Sequence, residues 1–180
     1  FMGPTFFAVE RKNQEQVEVM TITYDSPNYK NPPPSMRNGK ISMPNMITHL
    51  VEDRQRNQML VQLVKKASAG NRQLLVLSDR RLHCEFLHQC FPKTSGLYMG
   101  GMKEAALHES SKKKIIFATF SQAHEGLDIP TLDTVILSTP KSDIQQSIGR
   151  IMRETKGKKN NPHIYDVHDP WSVFTAMYYK

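Results

Sequence analysis

Short, largely apolar runs recur along this chain with room for one helix between them: LLVLS at 74–78, KIIFAT at 114–119 and TVILS at 134–138. A strand that is apolar on both faces must be buried on both, which is the pattern of a parallel sheet. Parallel neighbours need a crossover connection, normally a helix. The intervening segments supply that periodicity. Met59, Leu60, Leu63 and Val64 recur at three- and four-residue steps, with Asp53 as a cap or first-turn carboxylate and Gly70-Asn71 as the stop. A second helix is predicted around 80–90, with Leu82, Phe86, Leu87 and Cys90 on its inner side. Further helical pieces fall at 103–110, at 142–153 and from about Pro170, and further strands at 5–10, 17–24, 96–99 and 163–167. The predicted fold is therefore α/β, a mostly parallel sheet covered by helices on both faces. Residues 25–45 carry Pro27, Pro32-Pro33-Pro34, Gly39 and Pro44 and read as a long loop. Proline lacks the amide hydrogen and restricts its predecessor, and loops of this length are often functional.

At 180 residues the chain is predicted to be one domain, 1–180, large enough for a core without staples. With 38% hydrophobic and 23% charged residues, wholesale disorder is excluded. No apolar run approaches the ~18–20 residues of a membrane span, and no secretory leader opens the chain, so no membrane partner is expected. The chain begins with Phe1 and ends in a segment that still reads as helix, so a fragment of a longer protein is expected. Cys84 and Cys90 do not make a disulfide framework, and a reducing, cytoplasmic location is the simpler expectation. His83, Cys84, His88 and Cys90 lie close in sequence, but no Cys-x-x-Cys knuckle or second ligand pair accompanies them. They are read as a helix with buried cysteine and surface histidine, and no metal site is expected.

In a parallel sheet the ligand sits outside the carboxyl ends of the strands. After 74–78 come Ser78, Asp79 and Arg80; after 114–119 comes a run from Thr119 to Pro130; after 134–138 come Thr139-Pro140 and a helix bearing Gln146, Gly149, Arg150 and Arg153. Those four positions are spaced i, i+3, i+4, i+7 and share one helix face. Paired guanidinium groups give bidentate hydrogen bonds and a charge that is never lost, which suits a phosphate. Gly149 would let a ligand approach closely. The competing reading is a solvated basic face. Ser78 and Asp79 equally fit a helix cap, Asp128 a turn, and Thr119 a satisfied strand end.

Gln146-x-x-Gly149-Arg150-x-x-Arg153 resembles motif VI of superfamily 2 helicases. Phe117-Ala-Thr119 running into Glu125-Gly126-Leu127-Asp128 resembles their motif V, Leu75 to Arg80 their motif IV, and Tyr98-Met-Gly100-Gly101 a segment often found between the two. Three ordered motifs over 74–153 are more specific than any one. The stretch 1–24 and Arg56-Asn57 resemble helicases of large cytoplasmic DNA viruses, the poxvirus and asfarvirus relatives of the phage-type DNA helicase linked to transcript release. The resemblance implies a RecA-like domain, the second of two motor domains, in which Arg153 is the arginine finger, Arg150 the second phosphate-facing arginine, and Gln146 a residue of the interdomain cleft. It implies Gly126, Asp128 and Gly149 at the nucleotide, and Ser78, Arg80 and Thr119 on the nucleic-acid backbone. The implied function is ATP-driven unwinding or translocation, with a viral transcript-release role, in the cytoplasm, in viral factories and in virions.

The chain contains no G-x-x-x-x-G-K-[ST] loop, since Gly39-Lys40 is followed by Ile41, and no acidic pair after a buried strand. ATP and Mg²⁺ are therefore expected to be held mainly by an upstream RecA-like domain, and this fragment alone to be inactive. The 24 Lys and Arg against 17 Asp and Glu give +7, and residues 141–159 hold six basic residues against two acidic ones. Lys112-Lys113-Lys114 adds a second cluster, while Lys156, Lys158 and Lys159 read as a solvated loop. Such a balance fits single- or double-stranded nucleic acid bound through its backbone, and the resemblance to the phage-type DNA helicase implies DNA over RNA. The alternatives are an RNA helicase of the same superfamily, or a basic α/β module that binds nucleic acid without ATP.

Overall fold

The computed structural model describes residues 17–25, 39–142, 144, 148–149, 160–171 and 174. The predicted strand at 5–10, most of the predicted loop at 25–45 and most of the helices at 142–153 and beyond Pro170 lie outside them. The described chain runs β1 (Glu18–Thr23), α1 (Met43–Glu52), α2 (Arg54–Ala67), β2 (Leu74–Ser78), α3 (Arg81–Gln89), β3 (Ser95–Tyr98), α4 (Glu104–Ser111), β4 (Ile115–Thr119), α5 (Phe120–Gly126), β5 (Thr134–Leu137) and β6 (His163–His168). All six strands are parallel, in the order β1-β6-β5-β2-β4-β3. No helix among the described residues is long and apolar enough to cross a membrane.

The apolar runs are the centre of the sheet. In β2 every residue is buried, and alternate residues serve opposite faces. Leu74 and Val76 pack with Leu60, Leu63 and Val64 of α2 and Cys84 and Leu87 of α3. Leu75 and Leu77 pack on the other face with Phe120 and Ala123 of α5, Ile129 and Leu132. Helical segments thus cover both faces, as the doubly apolar strands require.

Three details differ from the sequence reading. First, the expected loop ends early, because α1 begins at Met43. Pro44 sits in its first turn, where the missing amide hydrogen costs nothing, and Met46, Ile47 and Leu50 bury one stripe. Asp53 ends α1 and caps α2, its carboxylate accepting the Gln55 and Arg56 amides at 2.9 and 3.0 Å. Second, α3 is turned relative to the expectation. His83, Cys84 and Leu87 face inward, while Leu82 is 78% and Phe86 44% exposed and Cys90 lies at the surface. Third, residues 120–126, for which the sequence reading predicts no element, form α5.

Two glycines are set by geometry. Gly70 has φ +76° and ends the α2 turn in the left-handed region. At Gly96 in β3 a Cβ would stand 2.8 Å from Ser110 Cα, so its hydrogen lets α4 lie directly on the edge strand.

Candidate functional site

The carboxyl ends of β5, β2 and β4 are neighbours, with Ser78 opposite Thr119 in register and the Ser138 amide on Leu77 C=O at 2.9 Å. The residues just past these three strand ends form one edge of the sheet. Ser78 itself is fully buried. Its hydroxyl donates to His83 Nδ1 at 2.9 Å and accepts the Arg80 amide at 3.2 Å. His83 Nε2–H donates to Asn57 Oδ1 at 3.0 Å, and Asn57 Nδ2 donates to Val51 C=O at 2.8 Å. Because the Asn57 amide nitrogen is committed to Val51, its oxygen faces His83, which fixes the histidine tautomer. Burial, then the Arg56 charge, lowers the His83 pKa to about 3, so the ring is neutral. Burial likewise pushes the Cys84 thiol up to about 12, and its Sγ–H lies 3.4 Å from Ala118 C=O.

Ser78 therefore holds its own turn. It does not cap α3, because Arg80 is the N-cap residue there and no side chain caps the helix. The neighbouring Arg56 anchors the same region: fully buried, it donates to Asp169 at 2.7 and 2.8 Å and to Ser138 C=O at 2.8 Å. The α1–α2 corner is thus fixed to the ends of β2, β5 and β6.

Arg80 is partly exposed at this edge. Its guanidinium contacts the Asp79 carboxylate and donates to Pro44 C=O at 2.9 Å. Thr119 is half-buried, its hydroxyl 3.1 Å from that of Ser121. Thr139, noted after the third apolar run of the sequence but given no role there, accepts the Asp79 amide at 2.9 Å, and Lys141, counted there only as a basic residue, has its Nζ 3.5 Å from Asp79 Oδ1. The signal was available, since both come just after an apolar strand.

Asp128 is elsewhere. The helix α5 carries the chain back across the sheet, so Gly126 ends that helix and Asp128 is exposed at the amino edge. There a cleft of about 710 Å³ is lined by Asp128, Arg72, Gln73, Asp133, Asn160 and Lys112 to Lys114. The expected single polar edge is thus two edges, and the lysine cluster belongs to the amino one. Lys112 pairs with Glu109 at 2.8 Å and Lys114 donates to Gly70 C=O at 2.8 Å.

Gln146, Arg150 and Arg153 lie outside the described residues. Gly149 is described, exposed, in a helical turn in which the Ile148 amide bonds Ile144 C=O at 2.9 Å. Ile144 and Ile148 pack on the α5 face of the sheet. A Cβ at Gly149 would meet nothing within 4 Å among the described residues.

The chain is 34% identical over 178 residues to the L396 protein of Acanthamoeba polyphaga mimivirus, named as an ATP-dependent RNA helicase. The alignment takes in 94% of the chain and 34% of that protein. The chain is homologous to proteins of large DNA viruses named as helicases. It is also 29% identical over 130 residues to the transcript termination protein A18 of rabbit fibroma virus, over 64% of the chain and 27% of that protein. The chain thus spans about a third or less of the curated relatives it matches. No protein-family model matches it. Among solved structures, that of T4 UvsW superposes with a TM-score of 0.67 at 17% identity, covering 88% of the chain and 33% of that structure. The fold is the RecA-like one of helicase C-terminal domains.

Proposed function

We propose that the chain is the second motor domain of an ATP-dependent nucleic-acid helicase or translocase. One observation carries this: the Gln146-x-x-Gly149-Arg150-x-x-Arg153 segment comes directly after the central strand β5 of a RecA-like sheet. Arg153 serves as the arginine finger, Arg150 as a second phosphate contact, and Gln146 lines the interdomain cleft. Gly149 and Gly126 give close backbone approach to the nucleotide. Phosphoryl transfer needs charge stabilisation as the transition state forms, and an arginine finger supplies about 10³–10⁵ in rate. A finger on one domain and a phosphate cradle on another make hydrolysis depend on closure, which converts chemistry into motion.

Among the described residues no three carboxylate, imidazole or thiol groups converge to hold a metal ion. In this reading Mg²⁺ and the bulk of the ATP cradle are held by an upstream RecA-like domain, since the sequence carries no G-x-x-x-x-G-K-[ST] loop, and the arginine pair addresses the phosphates. The nucleic acid lies along the carboxyl edge, contacted by Arg80 and Thr119, with Ser78 holding the Arg80 turn from beneath. The names of the mimivirus and rabbit fibroma virus relatives favour RNA or a transcript-associated duplex, alongside the DNA strand that the phage-type resemblance favours.

The test is Arg153→Ala in the full-length protein. ATPase should fall about 10³-fold or more, with strand binding retained. Activity within a few-fold of wild type removes the finger assignment, and measurable ATPase by the 180 residues alone removes the two-domain account.

A further inference from the structure

We propose that Asp79 is a built-in counter-ion in a phosphate seat formed by Arg80 and Lys141, and that it sets this seat to one net positive charge. The proposal rests on the reading that the carboxyl edge tracks a nucleic-acid backbone, and names the grip of that contact.

Asp79 is the first residue after β2, and its amide is bonded to Thr139 Oγ1 at 2.9 Å, so the turn is fixed to the end of β5. One carboxylate oxygen meets the Arg80 guanidinium, and the other lies 3.5 Å from Lys141 Nζ. Lys141 arrives from the neighbouring strand, its ammonium 6.0 Å from the ring centroid of the buried Phe120 that begins α5. Two cations from adjacent strands thus converge on one acid. The cations stand outermost: the Arg80 and Lys141 side chains are 31% and 44% exposed, that of Asp79 22%. Thr119 ends the neighbouring strand β4, in register with Ser78.

The charge arithmetic has a consequence. Two bare cations neutralise two phosphodiesters; the triad, with one acid inside it, neutralises one. Exposed ion pairs of this kind are weak, so a phosphate oxygen competes for both cations at little cost. A contact of one net charge is tight enough to place a strand and loose enough to be released at each step of a moving motor. An acid that only oriented the two cations would instead strengthen the seat, and the two roles predict opposite mutant behaviour.

The experiment is fluorescence anisotropy of labelled oligo(dT) and oligo(U) against the chain across a salt series. The variants are Asp79→Asn, Lys141→Gln and the two combined, each checked by thermal melting. Asp79→Asn should bind about five-fold tighter at low salt. Its slope of log affinity against log salt should steepen by about 0.7, the single-strand value per phosphate neutralised. Lys141→Gln should become shallower by a similar amount, and the combined variant should return to the wild-type slope. Weaker or unchanged binding by folded Asp79→Asn overturns the counter-ion role while leaving the nucleic-acid reading in place. A Lys141→Gln slope equal to wild type removes Lys141 from the seat. A wild-type chain that binds neither strand at low salt overturns the carboxyl-edge reading and the counter-ion role with it.

Discussion

Acidification should expose the buried histidine that holds the carboxyl edge. His83 is sealed between Ser78 and Asn57, both of its ring nitrogens are used, and its folded pKa is lowered from 6.5 to about 3 by burial and by the Arg56 charge. The folded pKa lies below the unfolded one, so between the two values the unfolded chain binds a proton that the native chain refuses. Stability from the neutral ring is therefore fully present above about pH 6.5 and is lost as pH falls through the window toward 3. Each pH unit in that window costs about 1.4 kcal/mol from this one group, and the whole window about 4–5 kcal/mol. That is a large share of the ~5–15 kcal/mol that holds a typical domain. Urea denaturation at pH 7, 6, 5 and 4 measures it, with His83→Gln as the comparison, since carboxylates contribute equally to both chains. The wild type should lose stability more steeply than His83→Gln by about 1.4 kcal/mol per unit below pH 6. Parallel losses in the two chains, or an imidazole resonance of His83 titrating near 6.5, refute the argument.

Two further substitutions test the scaffold. Arg56→Met removes both guanidinium bonds to Asp169 and the bond to Ser138 C=O at a site with no solvent access, and should cost about 3–5 kcal/mol in chemical denaturation. A loss under about 1 kcal/mol would mean that this pair does not anchor α2 to the sheet. Gly96→Ala drives a methyl group to 2.8 Å from the Ser110 backbone and should destabilise by about 1–3 kcal/mol through displacement of α4 from β3. A melting temperature at or above wild type would show that α4 moves aside without cost.

The sheet was legible because its central strands are apolar on both faces. The strands at 74–78, 114–119 and 134–138 appear in β2, β4 and β5 almost to the residue. The helices were legible where a cap or a left-handed glycine marks them, as at Asp53 and Gly70. The face of α3 was not. Leu82 and Phe86 outrank His83 on hydropathy, and only the hydrogen bonds to Ser78 and Asn57 make a histidine the cheaper residue to bury. Likewise α1 was hidden by its proline, which is neutral at a helix start and disruptive only further in.

Residue order alone determined the α/β class, the parallel sheet and the ordered helicase-like motifs, because doubly apolar strand runs and helix-face spacing are local properties of the chain. The partition of the candidate residues between two edges is not local. Only the return of α5 across the sheet places Asp128 at the amino edge, far along the strand direction from Thr119, although nine positions separate them in sequence. The same holds for Asp79 and Lys141, which sit after different strands and meet only because β2 and β5 are neighbours in the sheet. Their charges interact through a few ångströms of space rather than through the chain between them, and strand order, set by packing of the whole sheet, decides which charges those are.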